Sequence, residues 1–518
     1  MKVDRQFFHF SGLILIFLFA LSSFTMAAVE PDDVALSSQI EQKDLLKQAD
    51  RLFRQGQLLE AEKLLKSSGR AERDHDVRLR LAMIYIKQQR IATAYEMSFE
   101  AAKAEPDNAF AFAVLGTALL SAGRFGEAEM ILDNALRLNR KEALAWSGFG
   151  LLEFYQNRID QSLEYLRRAV YYDRSNPDYI FTLAQVAARA EQYAESAEAY
   201  RHFLRVAHQA DAGRRARIRG LIEFLRYLAV RPKLYIPAGA ERTEIDFKLE
   251  GNRPIMEVRI NGAQETLRFV LDTGSGISVI SDETAKRLRI RPVTRGGYAK
   301  GIGGDGTFEI VYGFVREISI GDVSISNVPV YIRKFHGSAR DIDGYIGLSL
   351  VSRFLTTVDY GNLRFTLDRS ERGNTAERTA TQIPLRLTSS GFLSGAVQLK
   401  GVEAPLNFIL DTGASVSVIS DDVAGLSGMD GYLSERRMRV IGAAGITENV
   451  PSFNLPEVSF GEHSRQDILA IALDMNSINE ASGFQQGGIL GGNFLKNYRV
   501  TFDFKNAAVS FVPNEKVP

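Results

Sequence analysis

The sequence contains no cysteine, and its six histidines are scattered along 518 residues. Without cysteine the chain can form no disulfide bond, and it offers no thiol as a nucleophile or a metal ligand. The isolated histidines do not make up a zinc-binding helix or a metal cluster. The sequence therefore predicts neither a metal site nor a cofactor, and it predicts a fold stabilised by packing rather than by bridges.

A surplus of charge is missing as well. Lys plus Arg and Asp plus Glu each number 63, so the formal net charge is zero at pH 7. This balance gives no indication of nucleic acid or an acidic membrane surface as a partner. A hydrophobic content of 45% provides enough material for the cores of several domains.

One long apolar run, 7–24, lies at the N-terminus. It follows Lys2 and Arg5 and precedes the small residues Ala27 and Ala28. This order is typical of a secretory signal peptide, here at 1–28. Because the run almost reaches the length that spans a bilayer, an uncleaved membrane anchor is the alternative. Either interpretation predicts export to the periplasm or the extracellular space.

Residues 42–230 are rich in Ala, Leu, Glu and Arg, and their pattern repeats every 34 residues. Small residues recur at this spacing at Ala82, Gly116, Gly150 and Ala184. A helical period of this length, with small residues where paired helices approach, resembles the tetratricopeptide repeat. We expect four full repeats from Asp76 to Gln209, a degenerate repeat before them and a capping helix at 214–230.

Such an array has two interpretations. It can be a plain helical solenoid that only spaces the molecule, or its concave face can hold a peptide or a partner protein. The second interpretation is favoured because stacked repeats generally bind a partner. The sequence does not identify that partner.

The C-terminal half is organised around a stretch that occurs twice, at 269–281 and 408–420. Each copy has an apolar run, then Asp-Thr-Gly, then a second apolar run. The hairpin text before it, 258–262, is echoed at 397–401 with the same shift. One Asp-Thr-Gly is ordinary turn chemistry, but two in matching frames indicate a tandem duplication of a domain.

Each copy predicts a buried strand that ends in a sharp turn carrying Asp272 or Asp411. Duplication places these two carboxylates at equivalent positions about a pseudo-twofold axis. Two like charges held close together cannot both ionise cheaply, so the pair is expected to share a proton. A pair that shares one proton supplies a general base and a general acid together.

These motifs resemble those of aspartic peptidases of the retropepsin and pepsin type. As in that family, two apolar residues and a glycine follow later in each copy, at 345–347 and 489–491. Similar text then follows at 357–360 and 501–504. The resemblance covers Thr243 to Pro513.

The resemblance implies that Asp272 and Asp411 are catalytic, one taking a proton from a bound water and the other donating to the scissile carbonyl oxygen. It also implies supporting roles for the residues around them, the threonines linking the turns and the glycines allowing close approach: Thr273, Gly274, Ser275, Thr412 and Gly413. As in pepsin-like lobes, Ser275 is expected to donate to the outer oxygen of Asp272. Lobe two has Ala414 there, so the two carboxylates are expected to be inequivalent.

A glycine-rich segment precedes a strand in each lobe. Residues 301–306 formally fit a dinucleotide-binding fingerprint, but that fingerprint needs a following helix, whereas 307–312 has the pattern of a strand. The segments instead resemble the flaps that close over substrate in retropepsins. The flap candidates are Gly301, Gly303 and Gly304 in lobe one and Gly442 and Gly445 in lobe two.

The predicted fold is a multidomain α + β architecture, an α-solenoid of tetratricopeptide-like repeats followed by two mainly-β retropepsin-like lobes that form a pseudo-twofold acid-protease fold. The lobes are placed at 243–369 and 382–515, with linkers at 231–242 and 370–381. The change of period at the first linker predicts two separable halves. The second linker is long enough to bring both lobes of one chain together, so a monomer is expected to be competent.

The predicted function is that of an aspartic endopeptidase, a hydrolase that acts on a peptide or protein substrate while the repeats recruit that substrate or a partner. The alternative is a non-catalytic peptide-binding or scaffold protein in which the lobes are a degenerate peptidase. The presence of both aspartates favours the enzyme.

Overall fold

The computed structural model describes residues 31–70, 73–207, 212–302, 306–337, 341–370 and 381–515. The predicted signal peptide, the flap candidates Gly303 and Gly304, and nearly all of the predicted second linker lie outside the described residues. Within the described ranges, no helix combines the length and the apolar character needed to cross a bilayer.

The N-terminal half is a run of antiparallel helix pairs. Its helices are α1 (Pro31–Arg54), α2 (Leu58–Ser67), α3 (His75–Lys87), α4 (Ile91–Ala104), α5 (Ala109–Ser121), α6 (Phe125–Leu138), α7 (Ala143–Tyr155), α8 (Ile159–Tyr172), α9 (Pro177–Arg189), α10 (Tyr193–Val206) and α11 (Ala212–Ala229).

The predicted tetratricopeptide-like solenoid is confirmed, because the helices themselves repeat every 34 residues. The first helix of successive pairs begins at His75, Ala109, Ala143 and Pro177, and the second at Ile91, Phe125, Ile159 and Tyr193. Small residues are needed where the paired helices touch. A Cβ added at Gly116 would lie 2.7 Å from the side chain of Leu132, and one at Gly150 would lie 2.6 Å from that of Leu166.

Lobe one follows the helices and is mainly β. Its strands are β1 (Ile236–Gly239), β2 (Arg242–Asp246), β3 (Lys248–Glu250), β4 (Arg253–Ile260), β5 (Leu267–Leu271), β6 (Val279–Ser281), β7 (Pro292–Lys300), β8 (Thr307–Ile320), β9 (Val323–Arg333), β10 (Gly344–Ile346), β11 (Leu355–Asp359) and β12 (Arg364–Asp368). Two short helices, α12 (Asp282–Arg287) and α13 (Leu348–Val351), complete it. The Ser281 hydroxyl caps α12 by accepting a hydrogen bond from the amide of Thr284.

Lobe two repeats this plan. Its strands are β13 (Gln382–Pro384), β14 (Arg386–Leu387), β15 (Leu393–Leu399), β16 (Leu406–Leu410), β17 (Ser417–Ser420), β18 (Leu433–Gly442), β19 (Gly445–Phe460), β20 (His463–Leu473), β21 (Gly488–Leu490), β22 (Tyr498–Asp503) and β23 (Ala508–Pro513). Its short helices are α14 (Asp421–Ala424), α15 (Asn476–Ser482) and α16 (Gly492–Leu495), with a 3-10 turn at Asp430–Tyr432.

The sheet of each lobe has the same strand order. In lobe one the order is β4-β5-β10-β6-β9 followed by β8 and β7, and in lobe two it is β15-β16-β21-β17-β20 followed by β19 and β18. The lobes are therefore a structural as well as a sequence duplication.

A third sheet of six strands joins the lobes, in the order β13-β23-β22-β11-β12-β2. Each lobe contributes three strands, and β11 and β22 pair at the centre. There the hydroxyls of Thr357 and Thr501 meet at 3.0 Å across two residues paired in the ladder. This symmetric sheet holds the two lobes of one chain together.

The helical half is not tethered loosely to the lobes. Phe125 and Tyr155 pack edge-on against Phe484 of lobe two at ring-centroid distances of 5.0 and 4.9 Å. On the side of lobe one, Phe224 of α11 stacks on Tyr312 of β8 at 4.4 Å. These contacts form an apolar interface between the helical half and the lobes. This interface conflicts with the expectation that the two halves are separable.

The segment 231–242, expected to be a linker, also differs from that expectation. Leu234 and Tyr235 are buried, and the following strand β1 pairs antiparallel with β9 of lobe one. Leu234 and Tyr235 therefore belong to the core, whereas Ile236 is exposed.

Candidate active site

Two buried strands deliver the motif aspartates to the centre of the molecule. Asp272 follows β5 and Asp411 follows β16, and the amide of each aspartate donates to the strand packed behind it, to Ile346 O at 3.0 Å and Leu490 O at 3.1 Å. The predicted apolar-apolar-glycine text thus lies behind each turn. Its glycine is needed there, because a Cβ at Gly347 would lie 2.6 Å from the backbone of Ile277.

The two turns are linked by a symmetric set of threonine hydrogen bonds. Thr273 Oγ1 donates to Leu410 O at 2.7 Å and accepts from the amide of Thr412 at 3.0 Å. In return, Thr412 Oγ1 donates to Leu271 O at 2.7 Å and accepts from the amide of Thr273 at 3.2 Å. Both threonines are buried, so this lattice fixes one turn against the other as the sequence predicts.

The glycines of the motifs bring each turn onto the carboxylate of the opposite lobe. A Cβ at Gly274 would lie 2.5 Å from the Asp411 carboxyl group, and one at Gly413 would lie 2.8 Å from that of Asp272. No side chain larger than hydrogen fits at either place without moving the opposing aspartate.

The two carboxyl groups form a coupled pair joined by a hydrogen bond. Burial, the charge of Asp411 and that hydrogen bond raise the pKa of Asp272 well above its usual value. Burial also raises the pKa of Asp411, but the Gly413 amide, which donates to Asp411 Oδ1 at 2.7 Å, opposes that effect. Two carboxyl groups held this close share one proton, and the larger upward shift in the pKa of Asp272 favours that residue as its carrier.

Ser275 does not make the contact that the sequence predicts. Its hydroxyl donates to the carbonyl oxygen of Ile277 at 2.8 Å, so its proton is not directed at Asp272. The inequivalence of the two aspartates arises instead from their different amide contacts and neighbouring charges.

The predicted flap residues that the structure describes lie on two hairpins, one from each lobe. In lobe one the β7–β8 hairpin carries Gly301, whose amide donates to Gly306 O at 2.9 Å. In lobe two the β18–β19 hairpin carries Gly442 and Gly445. The hairpin ends touch, because the amide of Ala444 donates to Ile302 O at 2.9 Å.

One residue beside the dyad was missed by the sequence reasoning. Arg333, the last residue of β9, lies close enough to Asp272 for its charge to lower the pKa of that aspartate. Aligning the two copies beyond the Asp-Thr-Gly motif could have found it, because lobe two has Leu473 at the same place in the ladder.

Among the described residues, no group of at least three His, Cys, Asp or Glu side chains is placed to hold a metal ion. Two carboxyl groups that share a proton can supply a general base and a general acid together.

A comparison with known protein families matches the sequence around each aspartate. The family described as aspartyl protease matches residues 256–350 and 396–494, one segment in each lobe, and each segment contains one Asp-Thr-Gly motif. A comparison with curated proteins found no match.

Solved structures similar to the chain match its helical part. A thermophilic TPR protein of Thermus thermophilus, TTC0263, is 19% identical with a TM-score of 0.30, and the match covers 36% of this chain and 98% of that one. MamA 41-end from Desulfovibrio magneticus RS-1 is 20% identical with a TM-score of 0.23, and the match covers 33% of this chain and 97% of that one.

Proposed function

We propose that the protein is an aspartic endopeptidase that hydrolyses a peptide bond with one water activated between Asp272 and Asp411. The observation that carries the proposal is the pair of partly buried carboxyl groups itself, joined by a hydrogen bond and fixed by the threonine lattice. A structural role would not require two desolvated carboxyl groups to face each other, since such a pair destabilises the fold whenever both ionise.

The two aspartates have different roles in the proposed reaction. Ionised Asp411 takes a proton from the water as the water oxygen attacks the scissile carbonyl carbon, and protonated Asp272 donates its proton to the carbonyl oxygen. The proton then held by Asp411 passes to the leaving amine as the carbon–nitrogen bond breaks. A hydroxyl group of the tetrahedral intermediate returns its proton to Asp272, which forms the carboxylic acid product and restores the dyad. No bond forms between enzyme and substrate.

The two flaps indicate which shape of substrate the proposed enzyme accepts. Two hairpins that meet across the lobes suit an extended chain that enters between them from either side, and a site closed in this way excludes water. The contact between Ile302 and Ala444 must open for a chain to enter, so flap opening is a candidate for the slow step of turnover.

The helical repeats are proposed to recruit the substrate or a partner protein. Support comes from their solenoid form, which presents an extended surface beside the lobes. Export of the protein, with residues 1–28 as signal peptide or membrane anchor, is likewise part of this proposal and rests on the sequence alone.

The test compares the wild-type chain with Asp272→Asn and Asp411→Asn on a mixed peptide library, with and without pepstatin. Asp422→Asn, at an exposed position of α14, is the matched control. We expect cleavage by the wild type and the control, inhibition by pepstatin, and a loss of about a thousandfold or more in both dyad variants. Binding of peptides without hydrolysis by the wild type would instead favour the non-catalytic scaffold.

A further inference from the structure

The strand ladders identify which residues of the two lobes occupy equivalent places around the dyad. In lobe one, Ser281 of β6 pairs with Arg333 of β9. In lobe two, the equivalent Ser420 pairs with Leu473. The end of the strand that reaches the dyad therefore carries an arginine in one lobe and a leucine in the other.

At neighbouring positions the side chains also differ, and at one of them lobe one again carries an arginine. Tyr345 of β10 pairs with Val270, and its equivalent Ile489 pairs with Ile409. Two residues beyond Arg333 and Leu473 the chain carries Phe335 and Met475. One residue of β4 pairs with Val270, and the equivalent residue of β15 pairs with Ile409. Two positions before these residues, lobe one carries Arg253 and lobe two carries Phe392.

The wall of lobe one has an apolar cluster of its own, which contains Val279 and Phe335, but it also carries two arginines. The Arg333 guanidinium lies over the rings of Phe308 and Phe335 at 5.4 and 5.6 Å, and its Nε is buried without a hydrogen-bond partner. The Nε of Arg253 is buried without a partner as well, and this arginine faces the Tyr345 hydroxyl. Among the described residues neither arginine forms an ion pair with a carboxylate.

Two arginines with unsatisfied buried N–H groups are costly for the unliganded protein. Within the described residues, no ion pair joins a carboxylate to either of them. An acceptor supplied by the substrate would satisfy them, and a guanidinium suits a carboxylate particularly well because it can form two parallel hydrogen bonds.

The wall of lobe two is apolar. Val418, Met475 and Ile489 form a buried cluster, and Phe392 and Leu473 pack against it. Ile302, from the flap of lobe one, closes the same cluster. This wall offers a substrate side chain only apolar contacts.

We infer that the cleft selects peptides with an acidic residue on the side of the scissile bond that faces lobe one and an apolar residue on the side that faces lobe two. The inference rests on the proposed peptidase function and names its substrate class. Arg333 is the specificity-determining residue, and Arg253 assists it.

The first experiment uses peptide pairs that differ only by Glu or Gln at each position around an apolar residue. We expect the wild type to cleave the best Glu peptide at least about tenfold faster in kcat/KM than its Gln partner. Arg333→Met should bring the ratio close to one, Arg333→Lys should keep part of it, and the exposed Arg259→Met on β4 should leave it unchanged. Equal cleavage of Glu and Gln peptides by the wild type would overturn the inference while leaving the proposed peptidase intact.

Arg333 could alternatively act only on the protonation of Asp272. In that case Arg333→Met would shift the pH profile of kcat for both peptides and keep the Glu to Gln ratio, which also contradicts the inference. The double variant Arg333→Leu/Leu473→Arg sharpens the comparison, since the preferred position of Glu should move to the other side of the scissile bond.

A binding measurement separates failure of this inference from failure of the proposed function. Fluorescence anisotropy with the Asp411→Asn variant should give tighter binding of the Glu peptide than of the Gln peptide even if no peptide is hydrolysed by the wild type. Equal dissociation constants would show that the arginines do not read a carboxylate, whatever the outcome for hydrolysis.

Discussion

The two lobes have the same strand order, the same Asp-Thr-Gly turn and the same threonine hydrogen bonds. Beside the dyad, however, lobe one carries Arg253 and Arg333 where lobe two carries Phe392 and Leu473. Symmetry is kept where backbone geometry brings the carboxyl groups together. It is lost in the side chains beside the dyad and in the amides and charges that act on each aspartate. The comparison teaches that duplication built the dyad, and that divergence then made its two sides chemically different.

The lobes also differ in how they contact the helical half. Helix α11 lies directly behind the flap of lobe one, where a Cβ at Gly220 would be 2.4 Å from Arg295 O. Lobe two meets the helices elsewhere, through Phe484 and through the amide of Gln485, which donates to Ser121 O at 2.8 Å. Motion of the helices would therefore reach the two flaps differently.

Removing the helices has the largest expected effect. We expect the fragment 242–518 to be insoluble or unfolded, because it loses β1 and exposes Phe484 and Tyr312. Circular dichroism and gel filtration of this fragment and of 232–518, which keeps β1, measure the two losses separately. In the full chain, Phe484→Ala should lower stability by about 3 kcal/mol or more. A soluble, active 242–518 fragment would show that the lobes do not need the helical half.

The pH dependence tests the unequal roles of the aspartates. Activity should fall as pH drops through the pKa of Asp411, which removes the base, and as pH rises through the raised pKa of Asp272, which removes the acid. These limbs belong to the coupled pair, so kcat/KM should follow a bell-shaped curve.

The raised pKa of Asp272 also makes the stability of the fold depend on pH. A raised folded pKa gives Asp272 a stabilising contribution below its unfolded pKa that is lost as pH rises through the folded pKa. Thermal unfolding of Asp272→Asn should therefore show a stability relative to wild type that improves from pH 4 to pH 7. A relative stability that worsens over this range would contradict the assignment of the proton.

The threonine lattice should respond equally in both lobes. Thr273→Val and Thr412→Val each leave a buried carbonyl and a buried amide of the other lobe without a partner. We expect each to cost about 2 kcal/mol of unfolding free energy, measured by urea denaturation. Losses that differ severalfold between the two variants would mean that the lattice is not symmetric in solution.

Ser275→Ala should have the smallest effect. The Ser275 hydroxyl donates to Ile277 O, and lobe two already has alanine at the equivalent place. We expect kcat/KM to change by less than about threefold, since a single exposed or partly buried neutral hydrogen bond contributes little. A large loss of kcat/KM would instead indicate that the Ser275 hydroxyl donates to Asp272, as the sequence predicts.

Much of this architecture can be predicted from the sequence because it follows from repeated sequence patterns. The 34-residue helical repeat and the duplicated Asp-Thr-Gly text predict the solenoid, the two lobes and the dyad. Gly274 and Gly413 follow from the same motif, since close approach of two turns leaves no room for a side chain.

The remaining features depend on contacts between segments distant in sequence. The burial of Tyr235, the packing of Phe125 on Phe484 and the position of Arg333 follow from how sheets and helices meet. The direction of the Ser275 hydroxyl depends on a local choice between two acceptors. No period or short motif encodes these.

The most direct test of the central claim, one active site per chain made by Asp272 facing Asp411, is to mix purified Asp272→Asn and Asp411→Asn and measure peptide hydrolysis. Because β11 and β22 join the lobes within one chain, each variant carries one broken site. We predict that the mixture stays inactive and that the specific activity of the wild type is unchanged on dilution. Recovery of activity on mixing would contradict the account, because lobes would then pair between chains.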